Sequence, residues 1–196
     1  VPERIEAYDI SNLGDEHVTA GMIVVENGRF LKRDYRSFTI KSTDGANDYG
    51  AMRETLERRF SHLSDESGAF ATAPDLILLD GGEEHLHVAL DVMRKAGVDI
   101  PATGMVKDDY HKTRALVSVD GEVSIARERD VYGFIYRIQE EVHRFTVSKM
   151  THAKRKTYRT STLEKINGIG PVKAKLLLSA LGGLGAVKNA DLETLR

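Results

Sequence analysis

The sequence predicts an α/β protein in which residues 1–150 form a mixed sheet flanked by helices, residues 151–160 a basic linker and residues 161–196 a small helical unit. Three observations support this prediction. Strand-like segments joined by an Asn-Gly turn are typical of an antiparallel meander. A continuous apolar strand that leads through a helix into a second strand is typical of a parallel β-α-β unit. A Gly-Ile-Gly turn between two short helices indicates the separate unit near the end of the chain.

Composition narrows the class of protein. Of the 196 residues, 41% are hydrophobic and 30% are charged, which is enough apolar material for a core and excludes a wholly disordered chain. The absence of cysteine excludes disulfides, thiol nucleophiles and cysteine-based zinc sites. Apolar runs are far too short to span a membrane, and the first residues resemble no signal peptide. We therefore expect a soluble, cytoplasmic protein.

Charge is distributed unevenly along the chain. Residues 142–196 carry eleven Lys or Arg and three acids, whereas residues 1–141 carry 17 basic and 27 acidic residues. The stretch 142–163 contains no acid, and its cations are Arg144, Lys149, Lys154, Arg155, Lys156 and Arg159. Such asymmetry favours a polyanionic partner such as nucleic acid, although a basic run can also be an ordinary solvated surface.

The first half of the chain alternates between strand and helix patterns. Residues 4–11 predict a strand, and residues 19–25 and 29–40 predict two strands joined by a tight turn at Asn27-Gly28. Residues 48–63 have apolar side chains at helical spacing, and Asn47 or Asp48 can cap that helix.

The β-α-β unit follows. Leu76–Leu79 is a continuous apolar run, as expected of a strand buried on both faces. A helix that ends at Gly97 and a strand at residues 101–106 complete the unit, so the two strands are expected to be parallel. We also predict a small hairpin at residues 116–125 and a long helix at residues 130–149.

Two acidic residues, Asp9 and Asp80, lie on or directly after predicted strands, where a sheet can form a ligand or metal site. Asp9 shares a strand face with Ile5 and Ala7, and an acid on an apolar row is costly unless it is paired or binds a metal. The alternative is that the strand ends at Tyr8 and Asp9 begins a turn. Asp80 follows a buried strand at the carboxyl end, where open α/β sheets place ligands, although a polar strand end is also common there.

Other residues are weaker candidates. His143 lies on the long helix, roughly 130° from the centre of its apolar stripe, so it is not expected in the core. His85 and His87 are two residues apart on a helix and are interpreted as solvated. Lys107, in the run Lys107-Asp108-Asp109 after another buried strand, could line the same cleft as Asp80.

The Gly168-Ile169-Gly170 turn predicts a hairpin between two short helices. The amino end of the second helix would present N–H groups suited to a DNA phosphate, with lysines such as Lys173 beside it. The alternative is a turn that only packs two helices together.

Five motifs follow one another in order along the chain. They are Tyr8-Asp9-Ile10-Ser11, the stretch 47–54, the stretch 74–82, Gly104-Met105-Val106-Lys107-Asp108-Asp109 and the stretch 138–145. Together they resemble the C-terminal half of the UvrC family of bacterial excision-repair nucleases. The resemblance spans nearly the whole chain. It implies an RNase H-like endonuclease domain of nucleotide excision repair, which cuts DNA 5′ to a lesion, followed by the first half of a tandem helix-hairpin-helix domain.

The resemblance also implies site residues and partners. The family's catalytic Asp-Asp-His triad corresponds to Asp9, Asp80 and His143, which would hold Mg²⁺ or Mn²⁺ through oxygen ligands and a neutral imidazole. Independently of the resemblance, we expect Lys107 to contact phosphate. Partners would be damaged double-stranded DNA and, in the full-length protein, the UvrB–DNA complex. We assign DNA binding without base readout to Arg144, Lys154, Arg155, Lys156, Gly168, Ile169, Gly170 and Lys173.

The chain departs from the family pattern at two places. Glu83-Glu84-His85 replaces the common Lys-Gly-Gln after Asp-Gly-Gly, which weakens phosphate attraction and puts rate and metal preference in question. Asn167 stands where proline is usual, and only the first of two hairpins is present, so we expect poor DNA affinity from this chain alone.

Two other functions stay open at this stage. One is a DNA- or protein-binding module whose nuclease site is inactive. The other is a nucleotide-binding α/β enzyme, which rests on Asp-Gly-Gly alone, since no Gly-x-Gly-x-x-Gly or phosphate-loop lysine motif supports it.

Overall fold

The fold is described by a computed structural model. It covers residues 1–12, 18–41, 47–63, 68, 70–108, 113–191 and 194, with the backbone alone for residues 155–161. The described residues form two compact units, Val1–Met150 and Thr151–Arg196.

Within the described residues, a mixed sheet of eight strands forms the centre of the first unit. Its strands are β1 (Arg4–Asn12), β2 (Val18–Glu26), β3 (Arg29–Phe30), β4 (Arg36–Thr39), β5 (Leu76–Leu79), β6 (Ala102–Lys107), β7 (Thr113–Ser118) and β8 (Gly121–Ser124). The spatial order is β3-β2-β1-β5-β6-β7-β8, and β4 also pairs with β2. Strands β1, β5 and β6 are parallel, whereas β2, β7 and β8 pair antiparallel with their neighbours. The predicted meander, β-α-β unit and mixed α/β class are confirmed.

The prediction of one strand over residues 29–40 is wrong. Asn27 and Gly28 form the expected tight turn, with φ of 49° and 74°. The chain then pairs with β2 only as far as Phe30, makes a 3-10 turn at Lys32–Asp34, and returns to β2 as β4. Three consecutive polar residues in that turn break the alternation that a half-buried strand needs.

Helices cover both faces of the sheet. Helix α1 (Asp48–Phe60) begins at Asn47, whose side chain accepts hydrogen bonds from the backbone N–H groups of Tyr49 and Gly50. Helix α2 (Glu83–Ala96) ends at Gly97 in the left-handed conformation. These two helices share one apolar core with Tyr8, Met22 and other residues on one face of the sheet. A second core on the opposite face packs Ile5, Ala7 and Ile23 against α3 (Arg129–Glu164).

Helix α3 is longer than the sequence predicts. It was expected to end near Lys149, before a basic linker at residues 151–160, but those residues continue the helix to Glu164. Neither proline nor glycine occurs between Gly133 and Gly168, and Ala, Lys and Arg are good helix formers, so nothing in this stretch stops the helix. The division between the two compact units falls inside this helix.

A buried ion pair joins β1 to α1. Glu6 and Arg59 are both fully buried, and the guanidinium donates hydrogen bonds from Nε and Nη2 to the Glu6 carboxylate at 2.8–3.2 Å. The Tyr8 hydroxyl donates to the same carboxylate at 2.6 Å. Arg59 also donates to the carbonyl oxygens of Phe70 and Thr72. This network anchors the segment that precedes β5. No local sequence pattern predicts the Glu6–Arg59 pair.

The second unit contains the end of α3 and two further helices, α4 (Pro171–Leu181) and α5 (Leu184–Asn189). The predicted apolar helix around residues 176–178 is α4, whereas α5 was not predicted. Among the residues described, no helix is both long and apolar enough to cross a membrane.

Candidate functional site

Asp9 lies within a strand and not at a turn. Strand β1 continues through Asp9 to Asn12, so the alternative that it ends at Tyr8 is wrong. Asp9 pairs with Gly21 of β2 and faces α3, on the same row as Ile5 and Ala7. Its side chain is only 5% exposed.

Asp80 lies beside Asp9 because their strands run parallel. Tyr8 pairs with Leu79, and the Asp80 backbone N–H donates to the Tyr8 carbonyl at 2.8 Å, which brings the two acids to neighbouring strand ends. The turn after Asp80 packs against Gly104 of β6. A Cβ at Gly104 would lie 2.6 Å from the carbonyl oxygen of Gly81, so only glycine permits this close approach.

His143 reaches Asp9 from helix α3. As the helical spacing predicts, it is off the apolar stripe, with a side chain that is 57% exposed. The helix approaches β2 so closely at Gly21 that a Cβ on this residue would overlap Thr146 Oγ1. Glycine inside a strand often marks such a close approach. Gly21 therefore allows α3 to place His143 over the acid on the adjacent strand.

The three side chains form one cluster. Asp9, Asp80 and His143 each offer a ligand atom, and these atoms all lie within 4.8 Å of one another. His143 Nδ1 is 3.3 Å from Asp9 Oδ2. Burial and the neighbouring charge of Asp80 raise the pKa of Asp9 to about 7, although His143, Thr146 and Lys107 lower it. Crowding two carboxylates in a buried place is costly, and a bound cation would relieve that cost.

Lys107 also belongs to this cluster. A register shift between Val106 and Lys107 interrupts the pairing of β6 with β7, and such a bulge changes the direction in which a side chain points. Lys107 Nζ is 2.8 Å from Asp80 Oδ1, at an angle outside hydrogen-bond geometry. Asp108 follows as a half-buried residue, and Asp109 lies outside the described residues.

The interpretation of His85 as a solvated residue is wrong. His85 is half-buried and packs against Gly81, and its ring centroid is 5.1 Å from that of Tyr49. Burial lowers the pKa of His85. Helical spacing shows that the two histidines do not share an ion. It does not show that the first turn of α2 folds back over the turn that follows Asp80. His87 is 61% exposed, as expected.

The residues assigned to DNA lie in several places. Arg144 is exposed on α3 and donates to Glu141 at 2.7 and 2.8 Å. Lys154 is exposed further along α3, and the side chains of Arg155 and Lys156 lie outside the described residues.

The glycine turn has the predicted position between two helices. Gly168 has a φ of 86°, and Gly170 precedes the first residue of α4, Pro171. Lys173 Nζ donates to the Gly168 carbonyl at 3.1 Å, and Ile169 is half-buried. The amino end of α4 is thus formed by two glycines with a lysine beside them.

Comparison with known proteins identifies relatives over the whole chain. The sequence profile described as the UvrC RNAse H endonuclease domain matches residues 1–147. UvrABC system protein C of Caldanaerobacter subterraneus subsp. tengcongensis is 43% identical over 207 aligned positions, which cover all of this chain and 33% of that protein. UvrABC system protein C of Clostridium tetani is 42% identical with the same coverage. The chain spans about a third of the length of these relatives.

Solved structures with a similar arrangement are more distant. Endonuclease V of Ciona intestinalis, in complex with DNA containing an inosine, is 12% identical with a TM-score of 0.40, over 55% of this chain and 48% of that one. Human ENDOV is also 12% identical, with a TM-score of 0.40 over 60% and 63% of the two chains.

Proposed function

This chain belongs to the UvrC family, and from that premise we propose that it is a divalent-metal-dependent endonuclease domain that hydrolyses a phosphodiester bond of damaged DNA 5′ to a lesion. The proposal depends above all on the convergence of Asp9, Asp80 and His143, which come from β1, the end of β5 and α3.

The chemistry of the cluster fits a divalent cation. Among the described residues, neither oxygen of the buried Asp80 carboxylate has a hydrogen-bond partner, and the Lys107 ammonium lies against Oδ1 alone, so Oδ2 has no partner that compensates its burial. Two carboxylates and one imidazole suit Mn²⁺, and the oxygen ligands suit Mg²⁺. We propose that Asp9, Asp80 and His143 hold such an ion, which when bound would polarise the scissile phosphate and lower the pKa of an attacking water.

The chain's own side chains have separate roles in this proposal. Asp9 and Asp80 place negative charge at the bottom of the site, where burial limits screening by solvent. The exposed His143 contributes a neutral nitrogen, which completes the donor set without a third negative charge. Lys107 carries a positive charge at the same opening and would contact the phosphate of the substrate.

The basic residues would supply backbone contacts without reading bases. We assign this role to Arg144 and Lys154 of α3, to Arg155 and Lys156, and to the Gly168-Ile169-Gly170 turn with Lys173. Damaged double-stranded DNA is the proposed substrate. In a longer protein that contains this chain, a UvrB–DNA complex would present that substrate.

The test is nicking of a labelled duplex already cut 3′ to a lesion, with Mn²⁺ present and UvrB supplied. We expect metal-dependent nicking that falls about a thousandfold in Asp80→Ala, because several kcal/mol of transition-state stabilisation would be lost. Asp120→Asn, at the exposed turn between β7 and β8, is the matched control and should nick normally.

The same assay distinguishes the alternative of a binding module with an inactive nuclease site. DNA binding without nicking, in Mn²⁺ or Mg²⁺ and with UvrB supplied, would reject the nuclease proposal. The replacement of Lys-Gly by Glu83-Glu84 would then be the first change to reverse. Equal nicking by wild type and Asp80→Ala would also reject the assigned site.

A further inference from the structure

A groove of about 440 Å³ lies on the α3 side of the sheet. Its floor is aromatic: Tyr35 and Phe145 are buried there, with ring centroids 5.2 Å apart in an edge-to-face arrangement. Three cationic side chains line it, namely Lys32, Arg144 and Lys149. Arg36 also borders the groove, but it pairs with Met22 of the opposite core and its guanidinium lies over the Phe70 ring. The basic residues that the sequence associates with a polyanion all follow residue 142, so Lys32, after the first hairpin, was not among them.

This concentration of positive charge is local. Residues 1–150 carry 19 Lys or Arg and 27 Asp or Glu, so the unit as a whole is acidic. No acid lines the groove among the described residues. The nearest acid that the contacts show is Glu141, which accepts hydrogen bonds from Arg144 and from the Tyr35 hydroxyl. One carboxylate against the three cations Lys32, Arg144 and Lys149 leaves a net positive groove.

The two lysines of the groove, Lys32 and Lys149, present their positive charge to solvent. Lys149 Nζ lies 5.1 Å from the centroid of the Phe145 ring. Lys32 and Lys149 are exposed, so their ammonium groups are accessible to a ligand. A groove of this kind binds anions through several point charges at once.

The sheet register places the groove close to the candidate site. Asp9 pairs with Gly21, and Gly21 pairs with Ser37, which lines the groove. Paired residues point to the same face, and two strand spacings amount to about 10 Å. Helix α3 packs over Gly21 through Phe145 and Thr146, so His143 and the groove lie on its two sides. Successive phosphates of one DNA strand rise about 3.4 Å, so a duplex that lay across α3 would present phosphates to both sides of the helix.

We propose that this groove binds backbone phosphates of the duplex whose scissile phosphate enters the Asp9–Asp80–His143 cluster. The inference rests on the proposed nuclease function for the identity of its ligand. Binding would be electrostatic and independent of base sequence, since point charges on phosphates carry no sequence information.

The test measures DNA binding without catalysis. Fluorescence anisotropy of an undamaged labelled duplex in EDTA, over a range of salt concentrations, is compared for the wild-type chain and the double variant Lys32→Gln/Lys149→Gln. We expect the slope of log Kobs against log[salt] to fall by about one for each lysine, and affinity near 0.1 M salt to fall by about tenfold or more. Lys32→Arg/Lys149→Arg should restore both quantities.

The control removes the same charge elsewhere. Lys95 and Arg127 are exposed outside the groove, and Lys95→Gln/Arg127→Gln should bind nearly as the wild type does. An unchanged slope in the groove variant, or an equal loss in the control, would overturn the proposal.

Nicking assays separate this inference from the proposed function. If the chain binds DNA through the groove but never nicks it, the groove proposal is supported and the nuclease proposal is rejected. If the chain nicks DNA and its affinity does not depend on Lys32 and Lys149, the nuclease proposal is supported and the groove proposal is rejected.

Discussion

Lys107 Nζ lies 2.8 Å from Asp80 Oδ1, so an ammonium group sits against one of the two carboxylates assigned to metal binding. The bulge between Val106 and Lys107 occurs at this point of the sheet. Without a metal, Lys107 offsets charge that would otherwise be buried and unpaired at Asp80. With a metal, the two cations would compete for the same carboxylate unless the lysine turned toward the substrate phosphate.

Lys107→Gln should bind Mn²⁺ more tightly than the wild type, by about tenfold or more, because a positive charge next to a ligand is removed. Nicking should nevertheless slow, since the proposed phosphate contact is lost. Calorimetric titration with Mn²⁺ measures the first effect and a nicking assay the second. Lys95→Gln on α2 should change neither, and weaker Mn²⁺ binding by Lys107→Gln would contradict this role.

The stability of the metal-free protein should depend on Asp9. Burial and the charge of Asp80 raise the pKa of Asp9 from its usual 3.8 to about 7. Between these values the folded state holds a proton that the unfolded state has released, so the free energy of unfolding falls as pH rises from about 4 to 7. Asp9→Asn should flatten this dependence and make the protein more stable than the wild type at pH 8. Urea denaturation in EDTA at pH 5 and pH 8 measures both, and parallel pH dependences in the two proteins would refute the assignment.

Gly21→Ala should disturb the site without touching a charged group. The new methyl would overlap Thr146 Oγ1, so α3 would have to move away from β2. We expect a destabilisation of about 1–3 kcal/mol and slower nicking, because His143 moves with the helix. Thr146→Ala in the same chain should recover part of both losses. Gly133→Ala is the control, since its methyl would meet no atom within 4 Å; normal nicking by Gly21→Ala would show that the close approach does not position His143.

The Glu6–Arg59 pair should affect folding much more than catalysis. Both side chains are fully buried, so Arg59→Met leaves the Glu6 carboxylate buried without its partner. We expect a cost of about 3–5 kcal/mol in the free energy of unfolding. Glu6→Leu/Arg59→Met should cost less than the single change, because no charge remains unpaired. Thermal unfolding of the three proteins tests this, and a double variant less stable than Arg59→Met would contradict it.

Several elements could be predicted because their patterns are local. The Asn27-Gly28 turn, the buried strand Leu76–Leu79 and the cap at Asn47 each depend on a few neighbouring residues. The segment at residues 29–40 failed as a prediction because strand propensity does not show where pairing with β2 is interrupted. The linker at residues 151–160 failed because a polar, basic stretch without glycine or proline satisfies a helix equally well.

The residues of the candidate site likewise differ in how far the sequence predicts them. Asp9 and Asp80 could be singled out from sequence because an acid next to an apolar strand conflicts with its surroundings. His143 stood out only by resemblance to a family and by its position off the apolar stripe. No local pattern predicts the burial of His85 or the presence of Lys32 and Lys149 in one groove. Gly21, a glycine in the middle of a strand, was the one available sign that a helix would cross there.

The sequence by itself determined the α/β class, most of the strands and helices in their order, and the two acids that lie against apolar strands. Only the tertiary structure decided that these acids meet each other, His143 and Lys107, and that cations far apart in the chain share one groove. The physical reason is the range of the interactions. Secondary structure follows from spacing within a few residues, whereas the distance between Asp9 and His143, 134 positions apart, depends on strand register and on how closely α3 packs against Gly21.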